Sequence, residues 1–541
     1  MRERSTTLSV LASRGGLRRT LVAYGLYSLV EIAIWVAIIL YAYAEGGATL
    51  AGLVAVIQLL PAALIGPALA SFGDRMNRGT ALVLAQTGVA VTTALTTVTL
   101  LVAAPVPVVI GSSMLATIAI AVVRPIHFAA LPQLARGPQE LVSANALSSS
   151  AEGLAMFLGP IVAGLGAQVA GPWLVFSAAS VTCLLATALC LRLPLGSPIT
   201  SEDDDDEGWR AAIQGMAVLW REWGAFALLL ILATRFVLLG ALDVLGVAYS
   251  EEVLLMGEAG AGFVIGAVGI GGLVGGLIAG SASMRPRLAP VVGVGGVLQG
   301  LAFASVALVL VLAPAMVLLA LSGAAAAVMM VGGRTLLQRT SDAGVLARVF
   351  AVQEGVALLG TSLGAALAPM LVAQFTPSGS FVPLGLGVVL LTVAVYGLLR
   401  RLDARAVLYP EEMALLGAVR FLEVLPPYER EQLAQAATWM DVEAGSVVIR
   451  QGDPGDRFYV IAHGEFSVSI DGNVLPAPLG AGVGFGETAL LRSVPRTATI
   501  TCVAAGRLLA LEAPDFLAAV TGNPDGHRLA QEMSEGYLRD D

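Results

Sequence analysis

The chain contains no lysine. All 30 of its basic residues are arginine, and that absence removes whole classes of function. A P-loop needs a lysine at the nucleotide phosphates, and a Schiff-base enzyme needs a lysine amine. An ATPase module of the P-loop kind is therefore excluded within these 541 residues. Charge is scarce as well: 13 % of residues are charged and 57 % are hydrophobic, too apolar for an ordinary soluble domain and suited to many membrane spans. The three cysteines (Cys183, Cys190, Cys502) lie in apolar surroundings and imply buried inert thiols rather than a disulfide framework. The three histidines (His127, His463, His527) have no metal-ligand spacing. No short apolar run with a cleavage site opens the chain, so no cleaved signal peptide is expected. The arginine-only, Ala/Gly-rich composition suggests a high-GC bacterial source.

What is abundant is apolar sequence of spanning length. Stretches near 18–44, 48–73, 79–103, 107–132, 141–168 and 172–192 precede a longer loop. Others follow near 224–250, 259–284, 288–312, 314–339, 345–374 and 380–400. In this scheme Arg18, Arg19, Arg75, Arg78, Arg136, Arg192, Arg285, Arg287, Arg339, Arg400 and Arg401 share one side. The opposite loops carry only acids such as Glu45, Glu251, Glu252 and Glu258. The positive-inside rule makes the arginine side cytoplasmic, with both termini there. The halves repeat at an offset of 210 residues: Ala51-Gly52 with Ala261-Gly262, Gly66 with Gly276, Arg75 with Arg285, Arg124 with Arg334. Pro160 matches Pro369 within one residue. Two six-span halves of parallel topology are a known transporter design with the substrate path between them.

The stretch A-S-F-G-D-R-M-N-R (Ala70–Arg78) resembles the signature loop of the major facilitator superfamily, with Ala70 where the family has Gly. The resemblance covers roughly residues 15–402 and implies a gating role for Asp74, Arg75 and Arg78. The second copy keeps Arg285 but has Met284 in the Asp position. Arg124-Pro125, Leu131-Pro132, Ala144-Asn145-Ala146 and Gly159-Pro160 with Gly164 resemble the enterobactin-exporter-like branch, which implies export. The Gly-Pro pair is also similar to the antiporter motif of drug/proton exporters, with Ala163 in place of one Gly.

Ionisable residues inside spans are functional candidates because an unpaired charge there is costly. Glu31, Asp243 and Glu152 are the carboxylates expected to couple protons or touch substrate, and Arg235 is a further candidate. The alternative for each is a fixed ion pair that only holds helices together. Arg124 and Arg334, at equivalent positions near the cytoplasmic ends, are assigned to gate networks, and Glu354 to structure. The acids of S-E-D-D-D-D-E (201–207) read as a solvated linker. Trp209, Ile213, Met216 and Trp220 after it recur as in an amphipathic helix on the cytoplasmic interface.

Beyond residue 410 the balance changes. Residues 1–410 hold 21 Arg against 20 acids; residues 411–541 hold 9 Arg against 19 acids. Helical signals at 411–438 give way to short β-like runs with turn punctuation, including Q-G-D-P-G-D (451–456) and D-G-N (471–473). Helical patterns return at about 514–539. Many short strands with regular turns imply a small barrel or jelly roll. Residues 484–500 read G-F-G-E-T-A-L-L-R-S-V-P-R-T-A-T-I. A cyclic phosphodiester needs backbone N–H groups, a guanidinium for phosphate and a carboxylate for the ribose hydroxyl; Gly484, Gly486 and Ala489 allow close approach, Glu487 supplies the carboxylate and Arg496 the guanidinium.

This segment resembles the phosphate-binding cassette of the cyclic nucleotide-binding domain family, over about 417–538 with the Gly445, Gly452 and Gly464 positions. The resemblance implies Glu487 on the ribose, with Gly486, Thr488, Ala489, Arg496, Thr497 and Ala498 around the phosphate. It also implies a last helix (524–539) capping the base through Leu529, Met533 or Tyr537. The ligand expected is cAMP, with cGMP as the alternative.

The fold class expected is an all-α membrane protein of 12 transmembrane helices in two six-helix pseudo-repeats, followed by a cytoplasmic α+β domain with a β-roll or jelly roll and flanking helices. The divisions are 1–192 (first half), 193–223 (acidic loop and amphipathic helix), 224–402 (second half), 403–414 (linker) and 415–541 (nucleotide domain). The joint reading is a proton-coupled exporter of an amphipathic small molecule (siderophore, drug or lipid-like) in the bacterial inner membrane, regulated by cAMP. Its partners are cAMP, protons, membrane lipid and the transported substrate. An enzyme is not expected, nor a nucleic-acid partner, since no helix-turn-helix follows the domain. The second reading is a cAMP-responsive sensor or scaffold without transport. A nucleotide-gated channel is disfavoured by the lack of a pore-loop filter and voltage-sensor repeat.

Overall fold

The computed structural model describes residues 15–74, 76–135, 138–193, 223–283, 285, 287–340, 343–405, 409–425, 427–523, 526 and 528–532. The acidic run and amphipathic segment of 193–223 fall almost wholly outside them, as does most of the last predicted helix. The chain separates into two compact units, Met1–Ala406 and Val407–Asp541.

In the first unit, eleven helices among the described residues are long and apolar enough to cross a membrane. They belong to α1 Gly15–Asp74, α2 Arg78–Leu101, α3 Val106–Leu134, α4 Pro138–Ala170, α5 Pro172–Cys190, α6 Trp223–Tyr249, α7 Gly257–Ser283, α8 Ala289–Ser305, α9 Leu312–Thr340, α10 Ala343–Gln374 and α11 Phe381–Arg405. Helix α1 holds 60 residues. A straight helix of that length would run about 90 Å, three times a hydrocarbon core of about 30 Å. Gly46 and Gly47 leave helical geometry, Gly47 at φ 63 and ψ −162, and split α1 into two limbs where the sequence places the turn between the first two spans.

The residues matched by the internal repeat become the crossings between the halves. A Cβ added at Gly52 would lie 2.6 Å from the Ala365 carbonyl oxygen and from Pro369 Cγ. One added at Gly262 would lie 2.3 Å from the Pro160 carbonyl oxygen. The second limb of α1 therefore crosses α10, and α7 crosses α4, each at backbone distance. Apolar helices in lipid associate through such close approach, having no hydrophobic drive between them. Gly262→Val is expected to force these backbones apart and destabilise by about 1–3 kcal/mol or more, read as a lowered unfolding midpoint of the purified protein.

Hydrogen bonds also join the halves. Trp35 Nε1 donates to Asp243 Oδ2 (2.9 Å), Tyr43 OH to Glu252 Oε1 (2.5 Å), and the Ala259 amide to Gln168 Oε1 (3.0 Å). The first two donors are eight residues apart in α1, while their acceptors are nine apart. Eight α-helical residues end about 80° past two full turns, nine about 180°. The π turn Ser250–Leu254 that continues α6 takes up the extra residue and carries Glu252 itself, so both acceptors face the same neighbour.

The second unit begins with α12 Pro410–Ala418, α13 Arg420–Glu423 and α14 Pro427–Ala436. Six strands follow: β1 Thr438–Val442, β2 Val447–Ile449, β3 Arg457–Ile470, β4 Asn473–Val474, β5 Gly484–Phe485 and β6 Thr499–Glu512. α15 Glu487–Arg492 sits between β5 and β6, and α16 Ala513–Gly522 follows. All pairings are antiparallel in one sheet of order β1-β6-β3-β4, with β2 on β6 and β5 on β3. The short β-like runs of this region include F-Y-V-I (458–461) and F-S-V-S-I (466–470), which form one 14-residue strand. The apparent break at His463-Gly464 is a bulge where the β3–β6 register shifts and Gly464 takes φ 104. Asp471 and Gly472, both at positive φ, make the hairpin turn into β4. Trp439 Nε1 donates to Glu412 Oε1 (2.9 Å), pinning α12 to the sheet.

Candidate functional site

Strand β5 pairs Phe485 with Tyr459 and Gly484 with Val460. The chain then turns through Gly486 at φ 94 into the six-residue α15, leaves it through Ser493 at φ 53, and returns to the sheet at Thr499. This loop and the open side of the sheet enclose a cavity of about 460 Å³. Gly486, Glu487, Thr488, Ala489, Arg496, Thr497 and Ala498 all line it, with Val468, Ile470 and Leu475 among its apolar walls. The structure thus brings together the seven residues of this loop that the sequence assigns to the ribose and the phosphate.

Arg496 is 4 % exposed and its guanidinium is fixed. Nη1 donates to the Gly486 carbonyl (2.9 Å); Nη2 donates to the Arg457 carbonyl (2.7 Å) and to Asp456 Oδ1 (2.9 Å). Its backbone is held from the same side: the Arg496 amide donates to Asp453 O (2.8 Å) and the Gly452 amide to Arg496 O (2.9 Å). The Q-G-D-P-G-D turn, legible in sequence only as a turn, is therefore the mount of Arg496. A Cβ at Gly486 would sit 2.7 Å from Arg496 Nη1, so this position needs glycine for space as well as for its φ.

Glu487 is buried, its Oε1 accepting a hydrogen bond from Thr488 Oγ1 (2.9 Å). Burial raises its pKa above the ordinary carboxylate value. The bond to its own backbone amide, the Thr488 hydroxyl and the attraction of Arg496 oppose that rise. Thr497 is exposed at the rim. Leu529, expected from family resemblance to cap the base, packs against the helical cluster of Leu416, Phe421 and Phe516 instead and does not line the cavity. Met533 and Tyr537 lie outside the described residues.

In the membrane unit the sequence-predicted charges separate into distinct places. Arg124 lies between two carboxylates: Nη2 is 3.4 Å from Glu31 Oε2 and Nε 3.6 Å from Glu152 Oε1. Tyr24 OH donates to the same Glu152 oxygen, and Tyr24 stacks on His127 at 3.8 Å between centroids. The side chains of Arg124, Glu31 and Glu152 are 48 %, 26 % and 28 % exposed, so the cluster opens on accessible space. Assigned from its position to a gate, Arg124 is thus the shared partner of two coupling candidates. Its repeat mate Arg334 has a neutral partner: Nη2 and Nε each lie 3.0 Å from the Gln353 side-chain oxygen when that amide faces the guanidinium.

Asp243 is 5 % exposed and bonded to Trp35 across the halves. Arg235, two turns away in α6, is not its partner; it lies within electrostatic reach of Arg334 and beside Gln299 and Ser322. Of the predicted gating loop, Arg78 is placed, donating to the Ala129 carbonyl in α3. Asp74 ends α1, but its side chain and all of Arg75 fall outside the described residues, as does the side chain of Glu354.

The two units define a multi-pass membrane protein that carries a cyclic nucleotide-binding domain. Residues 20–310 match the Major Facilitator Superfamily and residues 439–523 match the cyclic nucleotide-binding domain. The chain belongs to the Major Facilitator Superfamily.

Among curated proteins it is similar to a cyclic nucleotide-gated potassium channel of Mesorhizobium japonicum, 32 % identical over 141 residues, covering 26 % of this chain and 38 % of the channel. It is also similar to cAMP-dependent protein kinase regulatory subunits. That of Schizosaccharomyces pombe is 38 % identical over 103 residues (19 % of this chain, 25 % of the subunit). That of Yarrowia lipolytica is 45 % identical over 87 residues (16 % and 23 %). The chain thus spans only about a quarter to two fifths of the length of these relatives. Among solved structures, the regulatory domain of Toxoplasma gondii PKA with cAMP is 32 % identical, covering 20 % of this chain and 44 % of that one, at a TM-score of 0.20.

Proposed function

We propose that this protein is a secondary carrier of twelve spans, α1 supplying two, that exports an amphipathic small molecule in exchange for protons and is regulated by cAMP. The observation that carries the regulatory half is the cavity itself: the carboxylate of Glu487 and the guanidinium of Arg496, nine residues apart in sequence, line one enclosed space with the first turn of α15. The export half rests on the motif resemblances in α3 and α4 and on the intramembrane carboxylates Glu31, Glu152 and Asp243. The arginine-rich side is cytoplasmic in this reading, which puts both termini and the nucleotide domain inside a bacterial inner membrane. cAMP is favoured over cGMP because the wall formed by Val468, Ile470 and Leu475 offers the base no polar side chain.

The test is a titration of cAMP and cGMP into the purified full-length protein, followed by proton flux in proteoliposomes challenged with siderophores, amphipathic drugs and lipids, with and without cAMP. A folded protein that binds neither nucleotide sinks the regulatory reading. Nucleotide binding without flux for any of these solutes favours the sensor reading instead.

Glu487 gives a test with opposite signs in its two readouts. Its carboxyl is raised above the unfolded value, so the native state holds a proton that the unfolded chain has released between the two pKa values. That contribution to stability is full below about pH 4.5 and is lost as pH rises through the raised value. Glu487→Gln keeps an acceptor for Thr488 and removes the buried charge. The ligand-free domain is expected to melt higher than wild type at neutral pH and to lose that part of its pH dependence. cAMP affinity is expected to fall on the order of tenfold as the charged acceptor for the ribose hydroxyl goes. A lower melting point at pH 7 with unchanged affinity would show that Glu487 is neither strained nor in contact with ligand.

A further inference from the structure

The first and second halves start their third helix differently. In the first half α2 is capped locally: Asn77 Oδ1 accepts from the Gly79 amide (2.9 Å) and the Thr80 amide (3.4 Å). In the second half α8 follows Leu288, which has no side-chain cap to offer, and no acid or Asn occurs anywhere from Ser281 to Pro290. The cap arrives from 115 residues away. Asp403, buried in the last turn of α11, accepts from the Leu288 amide on Oδ1 (3.1 Å) and from the Ala289 amide on Oδ2 (3.0 Å). Its own carbonyl accepts from Arg287 Nη1 (2.7 Å). The same turn is wedged against α6: a Cβ at Gly224 would lie 2.9 Å from Leu402 Cβ, and Leu399 and Leu402 are buried with Leu228, Leu288 and Val292.

This clamp stands two residues before the end of α11. Only residues 406–409 separate that end from α12, the first helix of the nucleotide-binding unit. Four residues of chain give a pull or a twist from the nucleotide-binding unit little length in which to be lost. The last turn of α11 is the first part of the membrane unit such a twist meets, and Asp403 ties it to the start of α8. The half that broke the symmetry of the repeat at this loop is the half to which the nucleotide domain is joined.

We propose that Asp403 is the coupling residue of the carrier, through which cAMP binding is transmitted from the end of α11 to the N-terminus of α8. This rests on the reading of the second unit as a cAMP-binding regulator. When the nucleotide domain changes state, the last turn of α11 moves, and the Leu288 and Ala289 amides gain or lose their acceptor. A helix start stripped of its cap frays. The two halves of the carrier are then biased differently toward one conformation, as regulation requires.

The experiment is hydrogen exchange over residues 287–292 of the full-length protein, with and without saturating cAMP. Wild type is compared with Asp403→Asn, Asp403→Ala and a six-residue Gly/Ser insertion after Ala406, with the cAMP Kd of each measured separately. In wild type, cAMP is expected to change exchange in this segment by about threefold or more. Asp403→Ala is expected to exchange fast in both states and the insertion to show the wild-type basal rate in both. Asp403→Asn, which keeps one acceptor, is expected to retain part of the response. Affinity for cAMP is expected to shift only by a factor comparable to the lost coupling, about threefold, because coupling between two equilibria is reciprocal. If cAMP binds wild type without altering this segment, or alters it equally in Asp403→Ala or in the insertion variant, the proposal is overturned. If Asp403→Ala does not fold, the asparagine variant and the insertion, which leaves Asp403 in place, decide. Failure of wild type to bind cAMP at all is seen in the titration itself and removes the functional reading together with the proposal.

Discussion

Arg496→Ala is expected to lower the affinity of the full-length protein for cAMP on the order of 10²- to 10³-fold, the range set by truncating one partner of a buried charge-assisted contact at about 3–4 kcal/mol. The size follows from how little freedom the side chain has. Three acceptors (the Gly486 and Arg457 carbonyls and Asp456) already aim the guanidinium at the cavity. The entering phosphodiester therefore has almost no side-chain entropy to remove.

The same contacts make the substitution more than a loss of charge. Alanine leaves two partly buried carbonyls without this donor, so the ligand-free melting point of the domain is expected to fall as well. Thr497→Ala supplies the contrast. That hydroxyl is exposed at the rim, and its removal is expected to cost about fivefold in affinity with no change in the ligand-free melting point. Calorimetric titration beside thermal unfolding checks both. Equal losses from the two variants would mean that the phosphate does not sit at Arg496.

The pocket was legible in sequence because its chemistry is contiguous. Glu487 and Arg496 lie on one loop, and the glycine between β5 and α15 marks the turn that folds them together. Asp456 was not legible, because nothing in a Gly/Pro-rich turn announces that its acid will meet an arginine 40 residues on. The 14-residue strand β3 was hidden for a related reason: a β-bulge at Gly464 looks, in one dimension, like the end of a strand.

In the membrane unit, hydropathy placed the spans and the offset of 210 residues placed the repeat. The same offset foreshadowed the crossings, since Gly52 and Pro369 carry in one crossing the roles that Gly262 and Pro160 carry in the other. What composition could not reveal was register. The π turn at Ser250–Leu254 has no sequence signature, yet it decides that Glu252 faces Tyr43. The partners of Arg124 were hidden by the same limit. Its depth along α3 was readable, but its rotation toward Glu31 and Glu152 was not.

That cluster carries the second large effect. One guanidinium serves two carboxylates, so the loss of either acid leaves Arg124 with a partner while the loss of Arg124 strands both. Arg124→Gln is expected to destabilise the protein by about 2–3 kcal/mol, below the 3–5 kcal/mol typical of a fully buried pair because the cluster is partly solvated. Glu31→Gln and Glu152→Gln are each expected to cost about 1 kcal/mol or less. Combining them is expected to cost more than their sum by about 1 kcal/mol or more, because only the double variant leaves the cation unpaired. Thermal unfolding of the five proteins in one detergent reads the cycle.

Additive single effects would mean that the acids do not share the arginine. The asymmetry also states what the cluster offers to transport. With two acids and one base facing accessible space, it holds one negative charge more than its own residues neutralise. At its repeat mate the Arg334 guanidinium meets the neutral side-chain oxygen of Gln353 when that amide faces it. A proton or a cationic group of the transported molecule is the natural counter-charge. If the proposed proton coupling holds, a Glu31→Gln variant that folds as wild type is therefore expected to lose proton-coupled flux while retaining its cyclic nucleotide-binding domain intact.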